Sequence, residues 1–176
     1  MEQIALLNNI FNNINRWLEF SERKNAFVIS FFSLIIIFTP FIEKFTSISP
    51  LLKISICIFY VFYIITIFFI ILSLFPKTKI ARNLTKNGKS KKNKTSDNLL
   101  FYGDISKYSV KKYKEAIMEK YKFQDESNGY IDDIVAQIVI NSNITNNKMV
   151  YFKYSVILTS IAMIQFSICF SITLFL

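Results

Sequence analysis

The chain of 176 residues contains no histidine. That removes the side chain that changes charge near neutral pH, the usual general base and the commonest zinc ligand. Only two cysteines occur, Cys57 and Cys169, each inside an apolar run. Shielded thiols of that kind make neither a nucleophile nor a metal site, and two of them imply no disulfide framework. Three glycines and three prolines leave few turn signals, which favours long helices over turn-rich sheets. The adjacent acids Asp132 and Asp133 point in different directions around a helix and cannot work as an acid–base pair. No catalytic residue, metal ion or cofactor is expected, so the chain is read as a non-enzyme. The first twenty residues lack a basic leader, an apolar stretch and a small-residue cleavage site, so no cleavable signal peptide is expected.

More than half of the residues are hydrophobic, and they are bunched. A membrane helix needs about 20 mostly apolar residues to cross about 30 Å of hydrocarbon. Three stretches qualify: Asn25 to Ile42, Ile54 to Phe75 and Tyr154 to Leu176. Thr39-Pro40 is a place where the first could end early or kink, and Pro50 suits the first turn of the second. None of the three has the polar face of a globular core helix. Sixteen of the twenty-one lysines and arginines lie between Pro76 and Lys153, and only Lys44 and Lys53 lie between the first two stretches. By the positive-inside rule the N-terminus is cytosolic, the loop of residues 76–153 is cytosolic and the C-terminus is outside. A bacterial inner membrane is the expected setting, with the lipid bilayer as the first partner.

The expected fold class is all-α. It comprises an amphipathic N-terminal helix (residues 1–24), a two-span hairpin (25–75), a basic linker (76–97), a cytosolic helical segment (98–153) and a third span (154–176). In the first helix, Ile4, Leu7, Phe11, Ile14 and Leu18 share a face. That face could lie on the bilayer, pair between protomers or pack on the other cytosolic helices, and packing is preferred because the polar face has few cations. The linker is cationic and aperiodic. It reads as a positive-inside anchor near anionic headgroups or as a collector for an anionic ligand. It has no interleaved aromatics, and no nucleic-acid partner is expected. Val110, Tyr113, Ile117 and Tyr121 predict a helix of about 13 residues. Ile131, Ile134, Val135 and Ile138 predict another, which can continue into the third span because no proline or glycine follows Gly129.

Three motifs resemble those of the Pycsar effector family of bacterial antiphage defence. The stretch Phe20-Ser21-Glu22-Arg23-Lys24-Asn25 is similar to F-A-D-x-K-A, with Phe20 and Lys24 matching, Glu22 as the acid, and Ser21 and Asn25 departing. Asn98, Leu100, Phe101, Tyr102, Gly103, Asp104 and Ile105 resemble N-P-L-F-F-G-D-I, with Leu99 in place of proline. Gln137, Ile138, Asn141, Ile144 and Lys148 resemble Q-I-x-x-N-A-x-I-x-x-x-K, with Ser142 in place of alanine. The likeness runs from about Trp17 to Met163. It implies a membrane effector that responds to a cyclic mononucleotide, cCMP or cUMP, and impairs the membrane so that the infected cell stops growing. The alternative, of another class, is a membrane scaffold that anchors a cytosolic partner.

An anionic cyclic phosphate calls for cations, hydrogen-bond donors and aromatic faces. Asn98, Phe101, Tyr102, Asp104, Lys107 and Lys148 form the expected ligand set. The plainer reading is that Asn98 and Asp104 cap turns, Asp104 as a helix N-cap, and that Phe101 and Tyr102 are core. Phe20, Glu22 and Lys24 mark the membrane boundary. There Glu22, Arg23 and Lys24 fix the depth of the span or act as a switch toward Asp132 and Asp133. In the third span, Ser160, Ser167 and Ser171 share a face suited to close helix packing, consistent with a homo-oligomer. Gln165 lies off that face and calls for a partner helix, with a pore-lining role as the less favoured reading.

Overall fold

A computed structural model describes residues 2–45, 50–74, 96–123 and 129–175. Among the described residues the chain is helical without strands: α1 (Glu2–Phe45), α2 (Pro50–Leu74), α3 (Tyr102–Ile105), α4 (Val110–Tyr121) and α5 (Gly129–Phe175). Most of the basic linker lies outside the described residues.

The amphipathic N-terminal segment and the first apolar stretch form one helix, because nothing between them breaks it. Residues 2–45 contain no glycine, and α1 does not stop at Thr39-Pro40 but runs on to Phe45. The same reason makes α5 continuous over 47 residues, about 70 Å at the standard rise. Helix α4 is bounded by local chemistry. Ser109 caps its start, with Oγ accepting from the Lys112 N–H at 3.4 Å. Its end closes through Lys122 in the left-handed region, φ 54°, and the Phe123 N–H reaches the Met118 carbonyl at 3.0 Å.

The chain divides into two units, one from Met1–Ser21 and Pro76–Met149, the other from Glu22–Phe75 and Val150–Leu176. The first is built like a water-soluble domain. Leu7, Ile10 and Ile14 of α1 pack with Tyr113 and Ile117 of α4 and with Ile131, Val135 and Ile138 of α5, joined by Leu99, Tyr102 and Ile105. The face of α1 expected from the sequence is thus buried against protein, turned slightly so that Ile10 is more buried than Phe11 or Leu18. Polar contacts fix the register at the edges. Asn141 Nδ2 donates to Asn15 Oδ1 at 2.8 Å, Tyr130 Oη donates to Asn8 Oδ1 at 3.4 Å, and Lys114 pairs with Asp132 at 2.9 Å. The two asparagine contacts pair Asn8 with Tyr130 and Asn15 with Asn141, successive positions of α1 and α5 in the same order, so the two helices run parallel here.

The second unit has the opposite character. Its small apolar core is Val28, Phe59, Ile70 and Ala162. Asn25, Ser55, Thr66, Ser73 and Ser155 are buried beside it. Meanwhile Phe27, Leu34, Ile37, Ile64, Phe68 and Ile164 are each more than half exposed. Asn25 Nδ2 donates to Ser73 Oγ at 2.7 Å, and Gln165 Nε2 donates to Ser55 Oγ, also at 2.7 Å. Ser73 lies near the end of α2 and Ser55 near its start, and Phe69 stacks on Tyr154 at 5.9 Å. Helix α2 therefore runs antiparallel to the parts of α1 and α5 in this unit. Helix α2 and the Gly129–Ile172 part of α5 are long and apolar enough to cross a membrane.

Each large apolar side chain left in water forgoes about 1.5–3 kcal/mol of burial, and a whole fold is stable by only about 5–15 kcal/mol. An exposed apolar surface of this extent is of the kind that suits hydrocarbon. Ile138→Ala, in the first unit, is expected to destabilise the protein by about 2–5 kcal/mol, whereas Ile164→Ala should cost well under 1 kcal/mol because that side chain faces lipid in both states. Proteolysis of the two variants in detergent micelles checks this, and equal sensitivity would contradict the two-solvent arrangement.

Candidate functional site

The turn from Asp97 to Ser109 is organised by its own side chains. Asn98 Oδ1 accepts from the Leu100 N–H at 3.0 Å, the short-range bond that makes asparagine a turn former. Its backbone N–H donates to Asp104 Oδ2 at 3.0 Å. Asp104 is not the N-cap of α3. Phe101 holds that position in an extended conformation without a side-chain bond, and Asp104 sits inside the helix and reaches back to close the turn. Gly103 is needed for a different reason: a Cβ there would come within 2.6 Å of the Phe101 ring.

Lys107 Nζ is held between Asp97, at 2.9 Å, and Asp104. Asp97 is buried and also accepts from Tyr108 Oη at 3.2 Å. The bonds to Asp104 and then Asp97 raise the Lys107 pKa. Burial, followed by the Asp97 charge, raises that of Tyr108. Burial likewise raises the hydroxyls of Tyr102 and Tyr113, and Tyr113 Oη donates to the Leu99 carbonyl at 2.8 Å. A raised lysine pKa means that the clip keeps its full contribution below lysine's ordinary range. It is lost only as pH rises through the higher value. With two carboxylates on one ammonium, Lys107 is a poor phosphate contact.

Beside this turn lies an aromatic ledge. Phe101 and Tyr102 have ring centroids 4.5 Å apart, Tyr102 and Trp17 5.4 Å, and Trp17 and Phe20 5.7 Å. Trp17 and Phe20 line an open depression of about 280 Å³ together with Asn13 and Arg16. These four positions follow the helix spacing i, i+3, i+4, i+7, so they share one face of α1. Phe20, Phe101 and Tyr102 from the sequence-derived sets thus meet on one surface. Asn13, Arg16 and Trp17 join them without having been singled out in the sequence. The only sequence signal for them was their spacing, masked by the stronger apolar stripe next to it.

The remaining candidates fall elsewhere. Lys148 is nearly buried on α5, in a helical row with Ser142 and Thr145, whose hydroxyls are buried without hydrogen-bond partners. Lys24 Nζ lies 5.0 Å from the Phe152 ring centroid, Glu22 is exposed, and Asp132 pairs with Lys114. Gln165 finds its partner helix within the chain, at Ser55. Ser160, Ser167 and Ser171 are exposed, and the hydroxyls of Ser160 and Ser171 bond the backbone four residues earlier. Among the described residues no cluster of three or more metal-ligating side chains occurs.

Residues 6–176 match the model of the Pycsar effector protein domain. The chain belongs to the Pycsar effector family. It is an antiphage-defence effector by family, a type distinct from enzymes. It matches no curated protein and no solved structure. Four of the departures from the family-like motifs, Ser21, Asn25, Leu99 and Ser142, are buried, whereas Glu22, standing for aspartate, is exposed.

Asp97→Asn removes the buried half of the lysine clip while keeping the side-chain shape. A hydrogen bond involving a charged group contributes about 1.5–3 kcal/mol. The Asn98 and Leu100 amides should therefore exchange at least about tenfold faster, with the core amides of α4 and α5 unaffected. Unchanged exchange at residues 98–108 would show that the clip does not hold the turn.

Proposed function

We propose that this Pycsar effector crosses the bacterial inner membrane three times, N-terminus in the cytosol and C-terminus outside, and responds to a cyclic mononucleotide, cCMP or cUMP, by impairing that membrane and arresting the infected cell. The observation that carries the reading is the solvent inversion of the second unit, in a chain whose family is one of antiphage effectors. Such a unit has its work to do in lipid.

The ledge is the surface of the first unit best suited to a nucleotide. Base stacking on an aromatic face is worth about 1–3 kcal/mol per base, and Trp17, Phe20 and Phe101 offer such faces, with the buried Tyr102 packed against Trp17 and Phe101. Arg16 supplies a planar cation with fixed donors for a phosphate, and Asn13 adds an amide. Asn98, Asp104 and Lys107 shape the turn that presents Phe101 and Tyr102, while Lys148 remains the sequence-derived candidate for a second cation. Trp17 lies about two turns before Asn25 on unbroken α1, so a change at the ledge acts on the same helix that carries the Asn25–Ser73 bond. The serine face of α5, exposed in the single chain, suits close approach of a second copy.

Membrane potential in cells expressing the protein, with cCMP, cUMP, cAMP and cGMP supplied in turn, tests the reading. Depolarisation by a cyclic pyrimidine nucleotide alone is expected, with the response lost in Trp17→Ala and weakened at least about tenfold in Arg16→Ala. A full response in the double variant Tyr102→Ala, Lys148→Ala would remove those two residues from the site. No response to any nucleotide, with the protein in the membrane, would favour a scaffold role instead.

A further inference from the structure

We infer that the interior of the second unit is a route for monovalent cations, held shut in this structure by two amide–serine bonds. The inference rests on the membrane reading above and adds to it where the current would pass. Helix α2 turns Ser55, Thr66 and Ser73 into the unit. From Ser55 to Ser73 the helix rises about 27 Å, close to the roughly 30 Å of a bilayer's hydrocarbon. The polar groups are thus spread along the whole crossing and not gathered at one end.

Three oxygens along this file have no hydrogen-bond partner: Asn25 Oδ1, Thr66 Oγ1 and Gln165 Oε1. Buried polar atoms of this kind are uncommon and costly, at about 1–3 kcal/mol each. Lipid tails cannot satisfy them. A second copy of the chain cannot reach them either, because Asn25 and Thr66 are almost wholly covered by their own unit. What can reach a buried acceptor is a water molecule or a small cation. All three atoms are oxygens able to accept, two of them amide carbonyls, which is the chemistry that replaces a cation's hydration shell. No charged residue lies between Ser55 and Ser73 on α2 or between Tyr154 and Phe175 on α5. An ion would therefore be bound weakly enough to leave, as conduction requires.

The Asn25–Ser73 and Gln165–Ser55 bonds, each 2.7 Å, sit toward opposite ends of α2 and draw its buried face against the neighbouring helices. Breaking them frees two more hydroxyls and both amides to line the same path. Closed, they hold the buried face of α2 against its neighbours. Open, the five side chains Asn25, Ser55, Thr66, Ser73 and Gln165 line it from end to end.

The test uses the full-length protein in liposomes loaded with potassium chloride and a small anionic dye, with cCMP or cUMP added. Potassium efflux that outpaces chloride and dye release is expected. Thr66→Val, which keeps the shape and removes the orphaned hydroxyl, should cut potassium efflux about tenfold, the equivalent of one lost hydrogen-bond partner. Thr66→Ser should restore it, and thermal stability of Thr66→Val should be equal to wild type or higher. Nucleotide-dependent efflux that is unchanged in both Thr66→Val and Gln165→Leu would overturn the route while leaving the effector reading standing. Dye leaving as fast as potassium would also overturn it, in favour of a lesion between protomers. No efflux of any solute from wild type would overturn the route and the membrane-impairing reading together.

Discussion

Hydrocarbon cannot hydrogen-bond, and the second unit is organised around that fact. Much of its outer surface is Phe, Ile and Leu, while Asn25, Ser55, Thr66, Ser73 and Ser155 are turned inward. In water a contiguous apolar surface of this extent is uncommon for a folded unit and marks a surface made for a partner or a membrane. In a bilayer the outward residues contribute little to association, and helices are held by packing and by hydrogen bonds between them. The Asn25–Ser73 and Gln165–Ser55 bonds thereby gain an importance that surface contacts of the same length would not have. Bonds of this type in membranes average about 0.6 kcal/mol, so they hold the helices together without locking them.

The first unit obeys the ordinary rule and buries Leu, Ile, Val and Tyr. Its distinctive chemistry is at the surface, where a clipped turn sets Phe101 and Tyr102 against Trp17. The proposed function uses both kinds of unit: a water-facing surface with aromatic and cationic character, and a part suited to a membrane held by weak polar bonds. Helices α1 and α5 contribute residues to both units without a break.

Much of this was legible in the sequence. The apolar spacing along α4 and at the start of α5 named Tyr113, Ile117, Ile131, Val135 and Ile138, all of which are core. The absence of glycine and proline after Gly129 foretold the continuity of α5. The junction of the N-terminal segment with the first apolar stretch was hidden, because a change in hydrophobic pattern reads as a boundary even where the backbone has no reason to break. Asp104 was misread as an N-cap because aspartate before an apolar residue is a good capping signal. Its partner, the Asn98 N–H, lies upstream in a turn that propensity does not reveal. Arg16 and Trp17 went unnoticed since a site made by one helix face and a distant turn exists only after folding. Gln165 was readable as an anomaly, but the identity of its partner, Ser55, was not, being set by the antiparallel register of α2 and α5.

Thiol labelling measures most directly whether α2 of the inverted unit crosses the membrane with the segment that holds Lys120 on the cytosolic side. The two native cysteines, Cys57 and Cys169, are replaced by alanine, and single cysteines are introduced as Leu51→Cys or Lys120→Cys. A membrane-impermeant maleimide added to intact spheroplasts should label Leu51→Cys, at the start of α2, and leave Lys120→Cys untouched until the membrane is opened. Labelling of both from the outside, or of Lys120→Cys alone, would contradict the arrangement on which the proposed function depends.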